Sequence, residues 1–383
     1  MPAFITATSS VLPGLPVSND EIEAVLGQVG SDPSRLRGRI LRNNGIQSRH
    51  YAIDRATGLP THTTAQLAAE AVRRACDQRG LPVEAVDVLA CATSIPEHLM
   101  PGHASSVHGE LGTHPCETAT MHGVCGAGFT ALKYAAMAVQ TGSASTTVAV
   151  GAERTSMVLR SGAFRAELAA RTLAEEQDPY IGFDQEFLRW MLSDGAGAFV
   201  LQDAPRPGQL SLQVEWIDAV SFAHELPTCM YMGGVRTPNG GLSGWRDGAS
   251  MEDAIRTGAL NIHQDVKLLA ANMVTTCSRS FQILRERRGL HAEQVNWLLP
   301  HYSSEFFRSK TSDALDAVGF HIPYDRWCSN LITRGNTGCA SILIMLDDFL
   351  ASGRLREGDG VLLLVPESGR FSCGWAMLRA VSA

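Results

Sequence analysis

Two stretches of this chain repeat one pattern at an offset of 209 residues: Glu84-Ala-Val-Asp-Val-Leu-Ala-Cys-Ala-Thr-Ser94 and Glu293-Gln-Val-Asn-Trp-Leu-Leu-Pro-His-Tyr-Ser303. Each follows a long helical pattern and a Gly-Leu turn, 64–79 before Gly80-Leu81 and 265–288 before Gly289-Leu290. A second pair, 123–142 and 335–353, is a glycine-punctuated turn, an apolar helix and a closing glycine. Strand-like aliphatic runs follow in both places, 146–150 with 196–202 and 360–365 with 373–379. Self-similarity on this scale means one structural unit built twice. Apolar strands alternating with helices predict an α/β fold with a largely buried, mixed sheet in each copy. The copies divide as 1–205 and 206–383. The central helices, 127–141 and 338–352, are apolar on most sides, so both are expected to be buried, sandwiched between sheets.

Composition narrows the function. A net charge of −7 argues against a nucleic-acid-binding surface as the main business, though not against a local basic patch for an acidic partner. The nine cysteines (76, 91, 116, 125, 229, 277, 328, 339 and 373) form no CxxC pair and sit mostly in apolar runs. Neither a metal site nor a disulfide framework is supported, and a reducing, cytoplasmic compartment is expected. Residues 1–10 lack the basic start and apolar stretch of a signal peptide. Runs such as 361–365 are far too short to span a bilayer. The segment 160–190, with Arg160, Arg165, Glu167, Arg171, Glu175, Glu176 and Asp178, reads as a solvated helical insertion, or a lid or dimer arm. The Gly- and Met-rich stretch 227–250 reads as a long loop that could line an entrance.

Three polar residues stand at corresponding places in the repeat. Cys125, in Gly123-Val-Cys-Gly-Ala-Gly-Phe129, heads the central helix of the first copy. Asn336, in Gly335-Asn-Thr-Gly338, heads that of the second, and His301 follows the strand 295–299. A thiol at a helix start meets unpaired amide N–H groups and the positive end of the helix dipole, which lowers its pKa. Alone, Cys125 could equally be a packed core cysteine, His301 a loop histidine and Asn336 a helix cap. If the copies pack about a pseudo-twofold axis the three converge, and a Cys–His–Asn set can activate a thiol and stabilise developing negative charge.

Together with Ser193-Asp-Gly-Ala-Gly-Ala198, these motifs resemble the β-ketoacyl-acyl-carrier-protein synthase III family of the thiolase superfamily, over nearly the whole chain and in the family's order. The resemblance implies a duplicated thiolase-like αβαβα five-layer fold, a homodimer, and no cofactor. It implies that Cys125 accepts an acyl group from a thioester donor. His301 and Asn336 would hydrogen-bond the carbonyl of a malonyl or β-ketoacyl thioester, whose enolate attacks the Cys125 thioester in a Claisen condensation. The backbone N–H groups of Cys125 and Gly369 would form the oxyanion hole, and Phe129 would pack beside the nucleophile.

The chain departs from the family where coenzyme A is gripped. Arg39 and Asn43 stand where the chain-initiating enzymes carry a Trp and an Arg, the histidine motif continues Tyr302-Ser303-Ser304, Phe306 replaces an expected Arg, and Arg370 replaces a Gly. Acyl carrier protein thereby gains on coenzyme A as donor of the thioester substrates. Asn43-Asn-Gly-Ile-Gln-Ser-Arg-His-Tyr-Ala-Ile-Asp54, Thr61-His-Thr-Thr64 and Met121-His-Gly-Val-Cys125 resemble the dialkylresorcinol- and cyclohexanedione-forming ketosynthases. Those join two acyl thioesters, one a β-ketoacyl species, and then close a ring. Alternatives are a chain-initiating synthase of fatty-acid or polyketide synthesis, an acyltransferase to a hydroxyl or amine, and a silent partner subunit, which the retained Cys125, His301 and Asn336 disfavour. Glu153 is a candidate proton acceptor, weighed against a salt bridge to Arg154 or another Arg. His122 is either a pocket wall or a packed core residue. Met191, Phe222, Met230 and Met232 are expected to set pocket depth.

Overall fold

The computed structural model describes residues 1–30, 33–173, 183–248 and 250–383. The same local signals shape both copies. Helix α1 (Thr64–Arg79) starts at a capping box between Thr63 and Gln66 and stops at Gly80 in the left-handed region. Its counterpart α5 (Val266–Arg288) starts where the Asp265 carboxylate accepts from Leu268 N–H and stops at left-handed Gly289.

The strands form a nine-stranded sheet whose two ends mirror each other. In the first copy β1 (Phe4–Val11) pairs antiparallel with β5 (Gly195–Gln202), which pairs antiparallel with β4 (Thr146–Glu153). Parallel β2 (Val88–Thr93) and β3 (Glu117–His122) complete it. In the second copy β6 (Ser211–Ser221), β9 (Ser372–Val381), β8 (Gly360–Glu367) and β7 (Trp297–Pro300) repeat that order and those directions. Where the first copy has β3, the second has only a parallel bridge between Leu298 and Trp327. Antiparallel pairing of β1 with β6 joins the two ends.

The central helices lie where the apolar pattern puts them. Helix α3 (Gly126–Gln140) packs on β2–β5 and also on β8 and β9. Helix α7 (Ser341–Ala351), preceded by a 3-10 turn at Gly338–Ala340, packs on β1, β5 and β7. Gly128 of α3 lies tight against the turn that leads into α7, where any Cβ would overlap the Cys339 carbonyl. Helix α1 covers the outer face of the first sheet half. Helix α5, with α6 (Phe306–Ala317) beside it, covers the outer face of the second. The result is the αβαβα layering that the resemblance implies.

The charged insertion is not simply solvated. It runs as helices at Ser161–Leu173 and Phe183–Arg189, and Phe164, Glu167, Glu186 and Arg189 are buried. Glu167 accepts from Gln185 and Asn261, and the Arg189 guanidinium donates to the carbonyls of Leu159 and Gly27. Internal partners are what allow such charges to leave water. Arg165 is exposed, while Glu175, Glu176, Asp178 and the Arg171 side chain lie outside the described residues. The stretch 227–250 holds a short hairpin, Gly234–Arg236 with Leu242–Gly244, rather than unbroken loop. Among the described residues no helix is long and apolar enough to cross a membrane.

Candidate active site

Cys125 ends the tight turn that links β3 to α3 and takes the N-cap position of that helix. Its side chain is buried. The thiol is not the pre-formed thiolate that its position suggested. Burial, followed by the nearby Glu367 and Glu153 carboxylates, pushes its pKa far above the ordinary thiol value. The backbone N–H effect opposes this but is smaller. The resting group is therefore a protonated thiol.

His301 is placed by the end of β7, where its N–H donates 2.8 Å to the Leu364 carbonyl on β8. Burial alone pulls its imidazole down to about 4, so the ring is neutral at neutral pH and able to accept a proton. Asn336 sits in the turn before α7. Its N–H donates to the Met191 carbonyl and its carbonyl accepts from Ser193 N–H. The side-chain Oδ1 accepts from Gly338 N–H at 3.0 Å and from Ser341 Oγ at 3.4 Å. Only the amide oxygen can accept, so the amide NH2 is left to donate.

Two cavities meet at Cys125. One is bordered by Cys125 and His301 together with Met273, Cys277 and Phe307 from the outer helices. The other is bordered by Cys125, Asn336 and Glu153 with Met191, Met230 and Ile262. Ser303 and Ser368 border both. The fold thus brings His301 and Asn336 to the same thiol from two chambers. Gly369 follows Ser368, and its position abuts Val124 and the Glu367 side chain. Its carbonyl is held by the N–H groups of Cys229 and Met230.

The second-tier residues separate. Glu153 is fully buried beside this site and makes no ion pair with Arg154, which pairs instead with Glu97 at 2.8 Å. His122 is exposed and, with Phe129 and Glu367, borders a third cavity. It is therefore a wall of that cavity, neither packed in the core nor grouped with His301 and Asn336. Phe129 is buried in one core cluster with Cys125 and lies tight against Gly374. Of the proposed depth-setting residues, Met191 and Met230 border the Asn336 chamber. Phe222 borders neither chamber, and Met232 is largely exposed. Arg39, Asn43, Phe306 and Arg370 all face the surface.

Sequence reasoning missed Ser94 and Cys339, which hold the Glu153 carboxylate, and Glu367, whose carboxylate lies near Cys125. Ser94 ends the first of the two repeated segments, so its position is visible in the sequence, but no local pattern shows that it reaches the Glu153 carboxylate.

Comparison with known proteins agrees with this architecture. The profile described as Thiolase, N-terminal domain, matches residues 47–178, and that described as 3-Oxoacyl-[acyl-carrier-protein (ACP)] synthase III C terminal matches residues 285–379. The structure is similar to AbyA1, a tetronic acid condensing enzyme, at 20% identity and TM-score 0.74 over 98% of this chain and 99% of that one. It is similar to 3-oxoacyl-(acyl carrier protein) synthase III, FabH, of Pseudomonas aeruginosa PAO1 at 24% identity and TM-score 0.71 over 100% and 99%. It is also similar to a Xanthomonas campestris OleA variant with bound lauric acid and lauroyl-CoA, at 18% identity and TM-score 0.70 over 99% of each chain. These likenesses show the thiolase-like fold; the matched profiles, one in each copy of the repeat, make the chain similar to thiolases over 47–178 and to the synthase III enzymes over 285–379.

Proposed function

We propose that this protein joins two acyl thioesters through an acyl intermediate on Cys125, and that the product closes to a cyclohexanedione or dialkylresorcinol precursor. The observation that carries the first part is the meeting of two largely apolar chambers at one buried thiol, His301 bordering one and Asn336 the other. Two acyl groups can then lie on either side of the atom through which they are coupled.

The chemistry follows from the protonation states. The neutral His301 imidazole takes the Cys125 proton as the first thioester is attacked, and returns it to the leaving thiol. The N–H groups of Cys125 and Gly369 stabilise the tetrahedral oxyanion. His301 and the Asn336 amide then donate to the carbonyl of the second thioester as its enolate forms. That enolate attacks the Cys125 thioester, making the carbon–carbon bond and releasing the Cys125 sulfur. Ring closure and loss of carbon dioxide would follow on the β-dicarbonyl product; the resemblance of 43–54 and 121–125 to the ring-forming ketosynthases supports this part. Exposed Arg39 and Asn43 in place of a coenzyme A grip favour carrier-protein thioesters as donors. We further infer a homodimer, since β3 is an edge strand and Leu99 and Met100 are largely exposed.

The test is product analysis by mass spectrometry with one β-ketoacyl donor and one simple or unsaturated acyl donor. A cyclised diketone containing both chains is expected. A linear β-ketoacyl product would return the protein to chain initiation, and acyl transfer without a new carbon–carbon bond would make it a simple transferase.

A further inference from the structure

Glu153 ends β4 and is fully enclosed, with no cation paired to it among the described residues. One carboxyl oxygen is heavily used. Oε1 accepts from Ser94 N–H at 3.0 Å, from Cys339 N–H at 3.0 Å and from the Ser94 hydroxyl. The other oxygen, Oε2, is buried without a hydrogen-bond partner. Glu153 borders the chamber it shares with Cys125 and Asn336. Gly338 is the reason it fits there: a Cβ at that position, already at φ +55°, would lie 2.8 Å from Oε1.

This arrangement is more than a tie between β2, β4 and the turn before α7. Oε1 alone makes every bond of the tie, so a neutral acceptor would serve as well. Enclosing a second, unpartnered carboxyl oxygen is costly, and more so when the group is charged. The condensing reaction proposed above lacks one thing that such an oxygen supplies. A malonyl thioester forms its enolate by losing carbon dioxide, but a β-ketoacyl thioester must lose a proton from the carbon between its two carbonyls.

We propose that Glu153 is the base that takes this α-proton, through Oε2, from a β-ketoacyl thioester held beside acylated Cys125. This rests on the condensing reading above. The C–H bond breaks, the proton moves to Oε2, and the electron pair spreads over the two carbonyls. The carbanion then attacks the carbonyl carbon of the Cys125 thioester; the new C–C bond forms and the C–S bond breaks. The departing thiolate takes the proton back from Oε2, so acid and thiol both return to their starting states. Burial raises the Glu153 pKa, which brings its proton affinity towards that of a β-dicarbonyl carbon.

The experiment measures enzyme-dependent deuterium exchange at the α-carbon of a β-ketoacyl thioester in D2O, alongside intact-protein mass spectrometry with a simple acyl thioester. The wild-type chain gains the acyl mass and exchanges the α-proton; absence of the mass would sink the condensing reading itself. Glu153→Gln gains the acyl mass but exchanges at least about 100-fold more slowly, while Glu153→Asp keeps part of the exchange. The inference is overturned if Glu153→Gln exchanges within about threefold of wild type, if it loses acylation together with exchange, or if Glu367→Gln abolishes exchange instead.

Discussion

At the scale of single residues, burial decides the chemistry. A cysteine at a helix start reads as an activated thiolate, and the motif around Cys125 that carries the resemblance is plain in the sequence. Its protonation is not, because the opposing terms are tertiary: desolvation and the carboxylates of Glu367 and Glu153, distant in sequence. Cys125 should therefore react with iodoacetamide at pH 7.5 at least about tenfold more slowly than a free thiol, with the rate still climbing above pH 9. A rate that is already flat above pH 7 would contradict this. His301, drawn down to about 4, is neutral above that pH and becomes a cation, unable to accept the thiol proton, only below it. The rate of Cys125 acylation should accordingly show no ionisation near pH 6.5, the ordinary histidine value, and should fall only towards pH 4. A half-maximal rate near pH 6.5 in an acylation pH profile would refute the assignment. Glu153 shows a different limit of sequence reasoning. Arg154 is its neighbour in the chain, yet successive side chains at a strand end point to opposite faces, and Arg154 turns to Glu97.

At the scale of elements, most of the fold is legible because each helix and strand carries its own signal. Thr63 with Gln66, Asp265, Gly80 and Gly289 mark the helix ends in both copies. The buried aliphatic runs mark β4, β5, β8 and β9. Two elements were illegible for physical reasons. The charges of 160–190 suggested solvent, but Glu167 and Arg189 find internal partners. The third strand of the second copy shrinks to a bridge at Trp327, with no apolar alternation to announce it. The contact between α3 and the turn before α7 gives a sharp test at Gly128. Helix propensity alone would make Gly128→Ala stabilising by about 0.5–1 kcal/mol. The overlap with the Cys339 backbone carbonyl outweighs that gain, since backbone cannot step aside as a flexible side chain can. The variant should lose about 2 kcal/mol net and several degrees of thermal midpoint. A midpoint equal to or above wild type, measured by calorimetry, would show that α3 does not meet the turn before α7 there.

At the scale of the whole molecule, the repeat does not produce two independent bodies. β1 pairs with β5 of its own half and β6 of the other, and α3 packs on strands from both. The apolar surface of each central helix is covered only when both copies are present. Residues 1–205 expressed alone should therefore lack a cooperative thermal transition and bind a hydrophobic dye; a sharp transition near that of the full chain would show that the halves fold separately. The same packing builds the site. Cys125 comes from one copy and His301 and Asn336 from the other, so the proposed catalytic set exists only where the copies meet. The repeat was visible in the sequence and suggested this convergence, whereas the chambers that lead to the thiol depend on side chains from α5, α6 and the loops, which no local pattern places. The account stands most directly on the acyl group carried by that thiol. Incubation of the protein with a simple acyl thioester, followed by intact-protein mass spectrometry, should add one acyl mass to the wild-type chain and none to Cys125→Ala; an alanine variant that still gains the acyl mass would contradict it.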